Sequence, residues 1–143
     1  MTPVEQFLNL IGQQGKLLPQ GKKTVFHYEF AGGGLLCFKS IRSNDRIRLH
    51  NIIVEVPQQG MGTKLMQLVC KIADQCEVVI VLTALPFGDP SMRIKLFKLI
   101  SWYRDFGFVV NDDYYENHET MDISDGMEMI RDPGFGNPQV VGP

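Results

Sequence analysis

A Gly60-x-Gly62 turn follows the apolar run Ile52-Ile53-Val54-Glu55-Val56 and leads into a segment, from Met61 onward, whose apolar residues recur at helical spacing. A glycine-rich turn between a strand and a helix leaves the first helical N–H groups without partners at the positive end of the helix dipole. A phosphate or pyrophosphate can bind there without any basic side chain. Gly60 and Gly62 would let such an anion approach the backbone closely, although glycines at this kind of turn also serve close packing. Further along, Trp102-Tyr103-Arg104-Asp105-Phe106-Gly107-Phe108 sets a phenol near a helix end, a position that also suits a half-buried aromatic with a wet hydroxyl. Two other chemistries are disfavoured. The run Gly12 to Thr24 has the wrong glycine spacing for a phosphate-binding P-loop, and Lys23 intrudes before Thr24. His27, His50 and His118 have no spacing that would build a metal site.

The elements that must position these residues are legible from periodicity. Thr2, Pro3 and Glu5 spell a capping box with proline at the first helical position, and Phe7, Leu8 and Ile11 follow at helical spacing. Residues 12–23 read as a connector. From Val25 the period becomes two, with Phe26, Tyr28 and Phe30 on one face and His27 and Glu29 on the other. Strands over 35–41 and 46–56, joined by Ser43-Asn44-Asp45, complete an antiparallel meander. Arg46, Arg48 and His50 give the last strand a wet face at its start, and Ile52-Ile53-Val54 reads as buried on both sides.

Met61, Leu65, Leu68, Val69 and Ile72 define an amphipathic helix ending near Gln75, and the β-branched run over 77–85 reads as a strand covered on both faces. Strand, helix, strand in that order implies a parallel pair with a right-handed crossover. Asp89 and Pro90 open a further helix carrying Met92, Leu96, Leu99 and Tyr103 on one face, and Gly107 ends it. Strands at 108–110 and 126–130 flank the acidic excursion 111–125. The fold class expected is α/β (α+β), a mixed, mainly antiparallel sheet with a central βαβ unit flanked by helices. Residues 1–132 form a single domain and 133–143 a flexible tail.

The 143 residues are 44% hydrophobic and 21% charged, with a formal net charge of −2, which suits one globular domain and disfavours a phosphate-gripping nucleic-acid binder. Cys37, Cys70 and Cys76 lie in apolar stretches with no C-x-x-C pair and read as buried thiols in a reducing compartment. No leader and no membrane-length apolar run is visible, so a cytoplasmic location is expected.

The motif V-E-V-P-x-x-G-x-G followed by Y-x-x-x-G-F, in this order of elements, resembles the GNAT (GCN5-related N-acetyltransferase) superfamily. The likeness spans roughly residues 24 to 132, ending on the strand Met-Glu-Met-Ile-Arg. The resemblance implies an N-acetyltransferase moving an acetyl group from acetyl-CoA, its co-substrate, to a primary amine of a protein lysine, an α-amine or a small molecule. It further implies that Val54, Glu55 and Val56 line the pantetheine arm, and that Gln59, Gly60, Met61, Gly62 and Thr63 cradle the phosphates. Tyr103 protonates the departing thiolate, and the central parallel strands splay to admit the cofactor. The attacking amine must be neutral, and a carboxylate raised by burial suits the role of base, so Glu55 is the first candidate, with His50 and Glu29 behind it. A salt-bridged or edge-facing Glu55 is the alternative. No metal is implied.

The acidic excursion, with Asp112, Asp113, Glu116, Glu119 and His118, would steer a cationic acceptor or form a solvated hairpin. Lys22, Lys23, Arg42, Arg46 and Arg48 would meet an anionic partner or water. The partner expected is an amine-bearing protein or small molecule; a homodimer is allowed, a membrane is not, and nucleic acid is disfavoured. Two departures, Pro57 where the family usually has Arg or Gln and Leu96 where it usually has Asn, favour a rival reading: a catalytically degenerate protein-binding module on the same fold. A phosphate or nucleotide binder outside the family is a third reading, disfavoured by the missing P-loop lysine and dinucleotide fingerprint.

Overall fold

The capping-box sequence at the N-terminus makes its two reciprocal bonds: the Glu5 amide donates to Thr2 Oγ1 at 3.1 Å and the Thr2 amide to Glu5 Oε1 at 2.9 Å. They start helix α1, Pro3–Gln14, which seats Val4, Phe7 and Ile11 in the core. The structure, a computed structural model, describes residues 1–54, 60–85, 92–112 and 126–134, with the backbone alone for 92–95. The expected positions Glu55, Val56, Pro57, Gln58 and Gln59, the helix start at Asp89 and Pro90, and most of the acidic excursion lie outside the described residues.

The connector reading of 12–23 is corrected in two places. Helix α1 runs on to Gln14, and Lys16–Leu17 forms a short strand, β1, paired with β2 (Val25–Phe30). Both β1 residues are exposed, so the strand is held by backbone pairing and leaves no trace in the hydrophobic pattern. Strands β3 (Gly34–Ser40) and β4 (Arg46–Val54) complete the meander, helix α2 (Met61–Cys76) crosses over, and β5 (Val79–Ala84) pairs with β4 in parallel. Helix α3 (Met92–Arg104), β6 (Val109–Val110) and β7 (Met127–Arg131) follow. The sheet order is β1-β2-β3-β4-β5-β7-β6, antiparallel everywhere except between β4 and β5. This is the mixed, mainly antiparallel sheet with a central βαβ unit that the sequence implies.

The core lies between the sheet and the helices. Phe7 of α1 meets Phe38 of β3 edge-on with centroids 5.3 Å apart, and Leu65, Met66, Val69, Ile72 and Ala73 of α2 are buried. The continuous β-branched run is buried as expected over Val79, Ile80, Val81 and Leu82. Gly126 enters β7 with φ of +83°, where a Cβ would come within 2.6 Å of the Ala84 carbonyl oxygen, so the close approach of β7 to β5 requires glycine.

Candidate active site

Three features converge where β4 and β5 part. Their ladder covers Arg46 with Val79, Ile47 with Ile80 and Arg48 with Val81, and stops there. Beyond it the strands diverge and enclose a wedge-shaped cavity of about 850 Å³, walled by Leu49 to Ile52 of β4, Thr83 and Leu85, and Leu99, Trp102 and Tyr103 of α3. A β-bulge sits on this wall: Cys37 faces Asn51 while Phe38 faces Leu49, so His50 is the extra residue on β4. Bulges bend a strand and re-aim its side chains. The bulge and the divergence together explain why the end of β4 is not buried on both sides. Ile53 is 46% exposed and Ile52 and Val54 are half-buried, which corrects the expectation for Ile52-Ile53-Val54. Val54 itself pairs with Gly34 and packs against the core.

Helix α2 begins beside this region. Its N-cap is Gly60, left-handed at φ +77°, with open space where a Cβ would stand. A glycine cap offers no side-chain oxygen to the following amides of Met61, Gly62 and Thr63, which stand in the first turn at the positive end of the helix dipole. Thr63 is exposed, Met61 and Gly62 half-buried. A Cβ on Gly62 would lie 4.0 Å from the Trp102 ring, so the start of α2 adjoins α3 across the cavity mouth.

Tyr103 lies in the last turn of α3 and is 7% exposed, with its ring 5.6 Å from that of Phe108 and 5.1 Å from Trp102. Burial raises its hydroxyl above the ordinary phenol value, so it stays protonated through neutral and mildly alkaline pH. Gly107, at φ +96°, ends the helix and turns the chain into Phe108, whose amide returns to the Tyr103 carbonyl at 3.2 Å. Leu96 is 1% exposed and belongs to the core.

The end of α3 is fixed from beneath. The Arg131 guanidinium of β7 donates from Nε to the Phe106 carbonyl at 2.6 Å and from Nη1 and Nη2 to Asp74 at 2.8 and 3.0 Å. Asp74 Oδ1 also accepts from the Gly134 amide at 2.6 Å; 135–143 lie outside the described residues.

From sequence alone Arg48 is a solvated or partner-facing cation, and Glu128 is not singled out. Here they form one cluster. Arg48 bonds Glu128 Oε1 through Nη2 and Thr83 Oγ1 through Nη1 at 3.2 Å, and Thr83 donates to Glu128 Oε2 at 2.7 Å. Glu128 is 5% exposed. The available signal was a carboxylate interrupting the apolar strand Met-Glu-Met-Ile. Glu29 is exposed on β2, outside the wedge wall, and Lys22, Lys23, Arg42, Arg46 and Asp112 are exposed too. His27 Nε2 lies 3.7 Å from Cys37 Sγ. Among the described residues no group of three or more His, Cys, Asp or Glu could hold a metal ion, and no helix is long and apolar enough to cross a membrane.

All three cysteines are free and buried. Desolvation drives the Cys70 thiol from 9.0 up to about 11. Below pH 9 folded and unfolded chains both hold this proton. Between pH 9 and 11 only the unfolded chain releases it, so stability falls as pH rises, by about 2 to 3 kcal/mol at the end of that window. Urea titrations at pH 8 and 11 should show a loss smaller by about that amount in Cys70→Ala than in the unsubstituted protein.

No protein-family model and no curated protein sequence matches the chain. Solved structures do. Tetrahymena GCN5 superposes with a TM-score of 0.51 at 13% identity, covering 91% of this chain and 85% of that one. A Bacillus subtilis acetyltransferase in complex with CoA gives 0.49 at 17% identity over 90% and 91%, and the anti-CRISPR protein AcrVA5 gives 0.47 at 23% over 68% and 88%. At such identities the likeness is one of fold. Together with the order of elements and the single parallel pair parting into a wedge, the likeness to GCN5 identifies the fold of this chain as that of the GNAT acetyltransferases.

Proposed function

We propose that the protein is an acetyl-CoA-dependent N-acetyltransferase acting by direct transfer to a primary amine. One observation carries the reading: the wedge between β4 and β5 is lined by the buried phenol of Tyr103, and the N-terminus of α2 adjoins Trp102 on the same wall. These residues fit the cofactor. The amides of Met61, Gly62 and Thr63 would hold its pyrophosphate. The wedge-side edge of β4, past the end of its ladder with β5, would pair with the amides of the pantetheine arm as an added strand does.

The amine nitrogen attacks the thioester carbonyl carbon, forming the C–N bond as the C–S bond breaks. A backbone N–H of β4 polarises the carbonyl oxygen. The nitrogen's proton passes to Glu55 or a water, and the departing sulfur takes the Tyr103 proton, which the phenol recovers from solvent. Holding both reactants in one cleft supplies the proximity that such a step needs.

The test is release of free thiol from acetyl-CoA by the purified chain in the presence of amines, beside a Thr63→Glu variant. A carboxylate in the first turn of α2 stabilises that helix by about 0.3 to 1 kcal/mol while occupying the anion site. Thr63→Glu should therefore melt no lower than the unsubstituted chain yet bind acetyl-CoA at least about tenfold more weakly. Weaker binding with lower stability would mean damage to the fold; unchanged binding would remove the phosphates from this turn.

A further inference from the structure

The wedge passes through the sheet, and its two mouths differ in chemistry. Leu99, Trp102 and Tyr103 reach it from the helix side, since Arg131, on the same sheet face as its partner Ile80, bonds both α2 and the end of α3. Thr83, Glu128 and Arg48 belong to the opposite face by register, Thr83 facing Glu128 and Arg48 pairing with Val81. Arg48 is the last residue of β4 in the ladder with β5, so its side chain stands where the strands part, at the apex of the wedge.

Its guanidinium is held rigidly. The buried Glu128 takes one arm and Thr83 the other, while Thr83 is itself oriented by its bond to Glu128. An arginine carries five N–H donors in a fixed fork, and these two contacts leave donors for a ligand. The Arg48 side chain is 27% exposed and faces the cavity, and a pre-oriented fork of this kind matches a carboxylate. Lys98 also stands on the wall, and no Asp or Glu is among its described residues, Glu128 lying behind the guanidinium it holds. Leu49, Ile52, Leu99 and Trp102 supply apolar surface elsewhere on the cavity wall.

We infer that the acceptor is a small amine bearing a carboxylate close to its amino group, of the α-amino-acid class with an apolar side chain, and that Arg48 is the residue that reads the carboxylate. This rests on the acetyl-transfer reading above and narrows its acceptor. Glu128 and Thr83 are positioning residues: they aim the guanidinium and touch no reacting atom. A cationic peptide or polyamine, by contrast, would meet Lys98 on the wall and the guanidinium of Arg48 at the apex.

The experiment compares kcat/KM of the full chain for L-leucine and L-phenylalanine with that for isoamylamine and phenethylamine, which lack only the carboxylate, while calorimetry records acetyl-CoA binding. The acids should be preferred by roughly 10- to 100-fold, the scale of a hydrogen-bonded charge pair. Arg48→Met should lower kcat/KM for the acids by a similar factor while the affinity for acetyl-CoA stays as it was. Glu128→Gln, which keeps the shape but releases the fork, should raise KM for the acids more than it lowers kcat; it serves as the second variant if Arg48→Met fails to fold. Amines turned over as well as acids, by a protein that binds acetyl-CoA, would overturn this inference alone. Failure to bind acetyl-CoA would overturn the transferase reading and this inference with it.

Discussion

Tyr103→Phe should lower kcat by about 100-fold or more, the usual scale for a lost general acid, while leaving the affinity for acetyl-CoA and the melting temperature nearly unchanged. The variant keeps the ring that packs against Trp102 and Phe108 and deletes only the hydroxyl. Burial raises the Tyr103 pKa, so in the unsubstituted enzyme the alkaline fall in kcat caused by losing this proton belongs above pH 10, the ordinary phenol value. That limb should vanish in the variant. A Tyr103→Phe enzyme with full turnover and an unchanged alkaline limb would remove Tyr103 from the chemistry.

Arg131→Met should cost about 3 to 5 kcal/mol of folding stability. The Arg131 side chain is 2% exposed and its partner Asp74 22%, so removing the guanidinium leaves a poorly solvated carboxylate with the Gly134 amide as its remaining donor and the Phe106 carbonyl with only the Cys70 thiol at 4.0 Å. The double variant Arg131→Met with Asp74→Leu should recover much of the loss, because an apolar pair of similar volume replaces the ion pair. Urea denaturation of the four proteins measures the coupling. Arg131 also anchors the chain three residues past Tyr103, so the single variant should lose kcat at temperatures where it is still folded. A loss under 1 kcal/mol would mean that the clamp does not hold the end of α3.

The elements that sequence revealed are those whose side chains alternate between core and water. Tyr28 and Phe30 in β2, Ile47 and Leu49 in β4, and Leu65, Val69 and Ile72 in α2 each repeat at the period of their backbone, and each is buried. The glycine turn and the Tyr103, Gly107, Phe108 grouping were legible because motifs are local in the chain. What sequence does not reveal depends on partners brought together by folding. Lys16 and Leu17 make backbone pairs with no buried side chain, and the bulge at His50 is a property of two strands in register, not of either alone. The Arg131 and Asp74 pair spans 57 positions and the Arg48 and Glu128 pair 80, so neither spacing marks the residues as partners. Glu128 and Glu55 nonetheless carry the same clue, a carboxylate within an apolar run of the sequence. Burial without a partner is costly, and buried Glu128 has its cation in Arg48 and its donor in Thr83.

The most direct test is calorimetric titration of the purified chain with acetyl-CoA, with CoA and ATP as controls. Saturable binding of acetyl-CoA on the order of micromolar, in preference to ATP and weakened by Thr63→Glu, is the expected result. No binding at millimolar acetyl-CoA, or binding no tighter than that of ATP, would contradict the assignment of the wedge as a thioester site.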